Sequence, residues 1–212
     1  MTTDDIRKLV SNNQLQQALN GCEQLQLNDD FKSKLSALKA AYREYNNHRI
    51  DGDMRSDDLE ISRAGITKRM LLFLSEYELV CITDLKKSFV ELTNTIEQTA
   101  AQESTPAIAG DKQAVAEDKH PVADDNQAVV EEAKQITADL SAVDNAEKKE
   151  DIKPGIIKRV GDFLAKFQDK NSPQSKVLST IKDGVSVVQE IGKKYNSIAQ
   201  WFLLPQIPTV LL

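Results

Sequence analysis

Apolar residues recur at steps of three and four along most of this 212-residue chain, a spacing typical of amphipathic helices. The pattern runs through residues 1–98, stops in a polar stretch, and resumes near Ile152. Only 5% of the residues are aromatic and 28% are charged, which favours small helical modules over one wide core. We therefore predict an all-α fold with an N-terminal helical bundle over 1–98, a disordered acidic linker over 99–150, and an amphipathic C-terminal module over 151–212.

The first 98 residues predict several helices with polar residues at their ends. Thr3 is the candidate N-cap of the first helix, and Asn28 with the two aspartates after it marks the start of the third. Ser56 is predicted to begin a fourth helix. Residues 80–98 also have helical spacing, and the sequence leaves open whether they close the bundle or extend from it.

The middle of the chain is acidic and poor in large apolar side chains. Residues 101–124 contain Pro106, Gly110 and Pro121 among alanines and charged residues. Such a stretch buries too little apolar surface to offset an ordering entropy of roughly 1–2 kcal/mol per residue. We therefore predict a disordered linker, in which residues 125–149 are compatible only with a weak, solvated helix.

The C-terminal module has the most regular pattern of the chain. Residues 153–170 predict a basic amphipathic helix, and Ser172 followed by Pro173 predicts the start of another. This last helix carries a heptad-like apolar seam that requires a covering surface, either within a helical hairpin or in a coiled-coil-like segment. The seam comprises Leu178, Ile181, Val185, Val188, Gly192, Tyr195, Ala199 and Phe202.

Side chains that carry catalysis are scarce. His48 and His120 are the only histidines, while Cys22 and Cys81 lie in apolar runs typical of buried, reduced thiols. A Cys81 and His48 nucleophile pair is less expected than a core thiol and a surface imidazole. The sequence has no zinc-ligand spacing, phosphate-binding loop or hydrolase motif. We expect no enzyme activity, and no catalytic, metal-binding or cofactor-binding residue.

Charge and hydropathy narrow the range of partners and compartments. The net charge of −6 argues against nucleic-acid binding, and the basic residues of 156–194 lack interleaved aromatics. With no secretory signal and no run of about 18 apolar residues, the expected location is the cytoplasm. The basic amphipathic helix and the apolar residues 206–212 leave contact with a membrane surface as an alternative to packing of these helices against each other.

Residues 6–78 resemble the bacterial effector-associated domains, small helical modules of which several are assigned to the death-like superfamily. The resemblance rests on Ile-Arg-Lys-Leu-Val at 6–10, Leu-Gln-Gln-Ala-Leu at 15–19, the apolar run at 38–45, the turn at 49–52, and Ile-Thr-Lys-Arg-Met-Leu-Leu at 66–72. Arg-Ala-Gly at 63–65 departs from that pattern, which has a more polar pair there. Residues 184–208 are similar to an ending of small proteins that carry such domains.

The resemblance implies a homotypic adaptor, in which the domain binds the like domain of an effector or sensor in bacterial conflict or antiphage signalling. The C-terminal helices would then self-associate or bind a second partner. The alternatives are a membrane-active effector, whose basic amphipathic C-terminal helices bind or perturb the bilayer, and a plain coiled-coil oligomer. The candidate contact residues are the charged Lys39, Arg43, Arg49, Arg63 and Arg69, which are otherwise plain solvated residues, and the apolar Leu178, Ile181, Val185, Val188, Tyr195, Trp201 and Phe202.

Overall fold

The computed structural model describes residues 1–103, 121–181 and 184–208. Every regular element in these ranges is helical, which confirms the all-α fold class. Within the same ranges, three short 3-10 helices accompany the α-helices, at Ser141–Asn145, Lys149–Asp151 and Gln200–Phe202. The α-helices are α1 (Thr3–Ser11), α2 (Leu15–Cys22), α3 (Asp29–Asp51), α4 (Ser56–Glu103), α5 (Pro121–Leu140), α6 (Pro154–Lys166), α7 (Pro173–Thr180) and α8 (Gly184–Ala199).

The chain divides into two compact units, Met1–Val80 and Cys81–Leu212. The boundary falls inside α4, so the sequence-based domain of 1–98 is longer than the first unit. The apolar side chains that follow the boundary, such as Leu85 and Phe89, are fully buried. Phe89 packs edge-to-face on Phe163 of α6, with the ring centroids 5.3 Å apart. The apolar stripe of residues 81–98 therefore belongs to the core of the second unit.

Helix α1 begins one residue earlier than expected. The Thr2 hydroxyl accepts a hydrogen bond from the backbone N–H of Asp5 at 3.2 Å, and the Asp5 carboxylate accepts one from the backbone N–H of Thr2 at 3.0 Å. This reciprocal capping box requires an acidic or amide side chain three residues after the cap, a spacing that Thr2 and Asp5 provide. The expected cap Thr3 is instead buried in the first turn of α1.

The core of the first unit is centred on Phe31 of α3. Its ring packs edge-to-face on Phe73 and Tyr77 of α4, at centroid distances of 5.4 and 5.5 Å. Asn28 caps α3 as predicted, because its side chain accepts a hydrogen bond from the backbone N–H of Phe31. Cys22 lies in the same unit and is fully buried, and burial raises the pKa of its thiol to about 12. This agrees with the prediction of a buried, reduced thiol for Cys22, whereas Cys81, for which the same was predicted, is only half-buried.

A buried ion pair joins α1 to α4 in the first unit. The Arg7 guanidinium donates a hydrogen bond of 2.6 Å to a carboxylate oxygen of Glu78, whose side chain is fully buried. Arg7 also donates to the Ser75 hydroxyl at 3.2 Å. A buried carboxylate is retained only when it is paired, because its transfer out of water is strongly unfavourable. This contact therefore fixes the position of α1 against α4, close to the end of the first unit at Val80.

The acidic linker expected over 99–150 has a different extent in the structure. Helix α4 continues to Glu103, and residues 121–151 form α5 with two 3-10 helices. The side chains of Val129, Ala133, Ile136 and Leu140 follow at helical spacing and are all buried. This stripe is narrow and lies among many charged residues, which is why composition indicated a solvated segment. Residues 104–120 of the predicted linker lie outside the described residues.

The predicted continuous last helix is two helices. Ser172 and Pro173 begin α7 as expected, with the Ser172 hydroxyl accepting a hydrogen bond from the backbone N–H of Ser175. Helix α7 ends at Thr180 because Ile181 adopts an extended backbone conformation. Helix α8 begins at Gly184, where a Cβ would collide with the side chains of Leu178 and Ile181. The absence of a side chain at this position allows the two helices to approach closely.

The segment after α8 is held against the second unit by side-chain hydrogen bonds to its backbone. The Asn196 amide donates to the carbonyl of Ile207 and accepts from its backbone N–H, both at 2.7 Å. The Tyr195 hydroxyl donates to the carbonyl of Pro205 at 3.2 Å, and the Gln168 amide donates to that of Pro208 at 2.8 Å. The Ile207 side chain is buried. We call residues 204–208 the C-terminal strap.

Replacing Asn196 with alanine is expected to release the C-terminal strap without unfolding the second unit. The change removes the two hydrogen bonds that the Asn196 amide makes with the N–H and carbonyl of Ile207, and only water can then replace them. We expect the Ile207 amide to exchange with solvent roughly tenfold faster or more, as the loss of one net hydrogen bond implies. Amide hydrogen exchange measures this, with Gln206→Ala at an exposed strap position as the control. Equal exchange in both variants would contradict the assigned role of Asn196.

Candidate protein-interaction groove

Helices α3 and α4 of the first unit run antiparallel with a regular register. Lys34 of α3 faces Glu76 of α4 through an ion pair of 2.9 Å. Seven residues further along each helix, in opposite directions, stand Ala41 and Arg69. The small side chain of Ala41 leaves room for a channel between the two helices, with Arg69 in its wall, and we call this channel the α3–α4 groove.

The α3–α4 groove has two adjoining sections with Arg69 in the wall of both. The first, of about 260 Å³, lies near the ion pair and includes Ala37, Leu38, Leu72 and Phe73 in its walls. The second, of about 380 Å³, lies towards the turn that joins the helices. Its walls include Ala41, Glu44, Tyr45, His48, Met54, Ile61, Ser62, Gly65 and Ile66.

Two large apolar side chains at the α3–α4 groove are exposed to solvent. Ile61 has 71% of its surface exposed and Leu72 has 58%. Both are bounded by polar and charged residues of α3 and α4. Apolar side chains in a concave surface with a polar surround are typical of protein-binding sites.

The charged residues of the α3–α4 groove differ in how far they are already paired. The hydrogen bond to Glu76 and a second to Asp30 raise the pKa of the Lys34 ammonium. The hydrogen bond that Asp53 makes with the His48 ring, at 2.9 Å, raises the pKa of that imidazole. Within the described part of the chain, Arg69 makes no hydrogen bond or ion pair. Glu44 makes none either, although its charge attracts the His48 ring four residues away and adds to the raised pKa of that imidazole. These two groups are therefore available to a ligand of complementary charge.

The structure distributes the five predicted basic contact residues over several surfaces. Arg69 alone lines the α3–α4 groove. Lys39 pairs with Glu23 beside a different groove, formed with the segment after α2. Arg43 is exposed, Arg49 donates to the Asn46 side chain, and Arg63 is half-buried. Partner contact by these residues stays a prediction.

The apolar groove residues Ile61 and Leu72 were not among the predicted contact residues. They lie off the apolar stripe of α4 that the sequence pattern marks as the core side.

The predicted apolar seam of the C-terminal module is covered by the second unit itself. Its core contains Leu178, Ile181, Val188, Tyr195 and Trp201, each no more than 8% exposed. Phe202 is half-buried, and Val185 is 43% exposed. The heptad-like spacing is thus accounted for by packing within the chain, and contact of these residues with a partner stays a prediction.

The basic amphipathic helix predicted over 153–170 is α6, and its two faces have partners within the second unit. The apolar side chains Ile157, Val160, Phe163 and Leu164 are fully buried. On the other face, Lys158 pairs with Asp162, Arg159 with Asp139, and Lys166 with Glu132. Packing within the second unit therefore accounts for the amphipathic pattern of α6. Over the residues described, no helix is both long enough and apolar enough to cross a membrane.

The residues considered for chemistry belong to different parts of the chain. His48 pairs with Asp53 at the end of α3, whereas Cys81 belongs to the second unit. His120 lies outside the described residues. Within the described ranges, no three His, Cys, Asp or Glu side chains are grouped as a metal site requires.

Comparison with known proteins identifies the first unit. Residues 1–78 match the family model of effector-associated domain 11. This confirms an N-terminal effector-associated domain. The matched region covers all but the last two residues of the first unit and includes the whole α3–α4 groove. No curated protein and no solved structure matches the chain. An effector-associated domain implies protein partners in general, and the α3–α4 groove is the candidate surface for them.

Proposed function

We propose that this chain is a non-enzymatic adaptor, whose effector-associated domain binds the matching domain of a partner protein in bacterial conflict or antiphage signalling. The observation that carries the proposal is the match of residues 1–78 to effector-associated domain 11. The partner, an effector or a sensor, would be recruited through contacts between the two like domains.

The α3–α4 groove supports this proposal with the properties of a docking surface. Leu72 and Ile61 offer apolar area that becomes buried on binding, which is the main source of affinity in protein association. Arg69 and Glu44 line the same groove and provide charged groups that fix orientation and discriminate between partners. A helix presented by the partner's domain fits a surface of this kind.

The second unit gives the adaptor a separate module with its own core. Its apolar surface includes Leu203, 94% exposed, and Val185. We propose that this module contacts a second protein or a second copy. The boundary between the two units lies inside α4, so the chain is helical where the first unit ends and the second begins.

The proposal predicts that the full-length chain co-purifies with a protein carrying a matching effector-associated domain. Leu72→Glu places a charge in the apolar part of the α3–α4 groove and is expected to weaken this binding roughly 30-fold, the effect of losing a contact of about 2 kcal/mol. Biolayer interferometry measures the change. Lys68→Glu is the matched control, because Lys68 is an exposed residue of the same helix outside the groove. If no protein with such a domain binds the wild-type chain, the adaptor proposal is wrong.

A further inference from the structure

We infer that the α3–α4 groove pairs with the α3–α4 groove of a second copy of this chain, around a two-fold axis that crosses α4 between Gly65 and Arg69. This inference rests on the proposed function in one respect, because it assigns an occupant to the same surface of the effector-associated domain. It goes further in naming the occupant and the residues that select it.

Gly65 is the first observation. It lies in the interior of α4, where glycine is unfavourable relative to alanine because it has more backbone freedom to lose. A Cβ at this position would have no atom within 4 Å, apart from its own helix backbone and chain neighbours. The fold of the described residues therefore gives no packing reason for glycine. A second helix that approaches α4 closely from outside would give one.

The charges of the α3–α4 groove are the second observation. Arg69 stands one turn of α4 from Gly65, and Glu44 stands on the opposite wall of the same section. Neither makes a hydrogen bond or ion pair within the described ranges, where Glu44 only attracts the nearby His48 ring, whereas Lys34 is already paired with Glu76 and His48 with Asp53. One unpaired cation and one unpaired anion make the groove complementary to a second copy of itself. A strongly acidic or strongly basic partner would leave one of the two charges opposed by its own sign.

The exposed apolar residues are the third observation. Ile61 lies on one side of Gly65 along α4, and Leu72 lies on the other. If two α4 helices cross antiparallel near Thr67, midway between Gly65 and Arg69, Ile61 of each copy lies close to Leu72 of the other. The same crossing carries Arg69 of each copy over Gly65 of the other, towards the wall that holds Glu44. Every contact then occurs twice, as an isologous two-fold interface requires.

Sedimentation equilibrium of the full-length chain tests the inference. We expect a monomer–dimer equilibrium between about 1 and 500 µM, the range in which contacts of modest area associate. Arg69→Glu and Glu44→Arg each oppose like charges across the interface and should weaken the dimer roughly tenfold or more. The double variant restores opposite charges and should recover most of the wild-type association. Lys68→Glu, a charge reversal outside the groove, should leave the dimer unchanged.

Substitution of Gly65 separates this interface from a purely structural role. Gly65→Ala has room within the monomer and favours the helix, so its melting temperature at low concentration should rise by a few degrees. The same Cβ blocks close helix approach, so the dimer should weaken roughly tenfold. Opposite effects on folding and on association are the expected signature. A Gly65→Ala variant that dimerises as well as the wild type would overturn the inference.

The outcomes distinguish the inference from the proposed function. A chain that stays monomeric over the whole concentration range, while still binding a matching domain, overturns self-pairing and leaves the adaptor role standing. A dimer that responds to the groove variants, in a chain that binds no matching domain of another protein, supports self-pairing and removes the adaptor role. A dimer that survives both charge reversals, or fails to recover in the double variant, places its interface elsewhere and overturns the inference. Circular dichroism confirms that each variant is folded.

Discussion

Replacing Phe89 with alanine is expected to lower the free energy of unfolding of the second unit by about 3–5 kcal/mol. Phe89 is fully buried, and its ring contacts that of Phe163, which in turn packs edge-to-face on Phe167 at 5.3 Å. Alanine would leave a cavity at the point where α4 meets α6. The variant loses the favourable burial of the aromatic ring, and the atoms that line the cavity lose their packing contacts.

Trp201 makes the effect of Phe89→Ala measurable in the correct unit. It is the single tryptophan of the chain and is buried in the second unit, so its fluorescence during urea denaturation follows that unit. Glu91→Ala, at an exposed position two residues further along α4, is the control and should change stability by less than about 0.5 kcal/mol. An unchanged Trp201 transition in Phe89→Ala would mean that residues after Val80 do not contribute to the second core.

Replacing Glu78 with alanine is expected to destabilise the first unit by about 3–5 kcal/mol. The Glu78 side chain is fully buried, and its removal leaves the guanidinium of Arg7, only 23% exposed, without its carboxylate. The large effect reflects this uncompensated charge more than the intrinsic strength of the pair. Segment-resolved hydrogen exchange of α1–α3 measures the loss, because it reports on the first unit separately.

Glu76→Ala provides the matched control for Glu78→Ala. Glu76 lies two residues earlier on α4 and pairs with Lys34, but both side chains of this pair are more than 40% exposed. Water screens an exposed pair, so its loss should change stability by no more than about 1 kcal/mol. A double-mutant cycle between Arg7 and Glu78 then isolates their coupling. Equal effects of the two glutamate substitutions would contradict the importance assigned to burial.

The sequence predicted the helices best where a polar cap and an apolar stripe coincide. Asn28 before Phe31 and Ser172 before Pro173 both mark helix starts that the structure has. The pattern failed where long-range packing decides. Spacing alone does not show that α4 passes from one core to another after Val80, nor that an interruption at Ile181 folds α8 back on α7.

The candidate groove was harder to predict than the fold. A helical stripe identifies side chains that need covering, but it does not say whether the cover comes from the same chain. The seam around Val188 and Tyr195 was expected to need a partner, and the second unit supplies the cover itself. Ile61 and Leu72 lie off the stripe of α4, so the pattern gave no signal for them. The unusual Gly65 was visible in the sequence, but only the register of α3 and α4 connects it to Arg69 and Glu44.

The hydrogen bonds of the C-terminal strap set which residue types each of its positions accepts. At Pro205 and Pro208 the rest of the unit uses only the carbonyl, so an imino acid loses nothing there and brings a restricted backbone. At Ile207 the N–H is also used, which excludes proline, and the buried side chain requires an apolar residue. Neither requirement applies at Gln206, whose side chain is exposed. Residues 205–208 are therefore expected to accept proline, any residue, a non-proline aliphatic residue and proline, in that order, because Tyr195, Asn196 and Gln168 bind only their main chain.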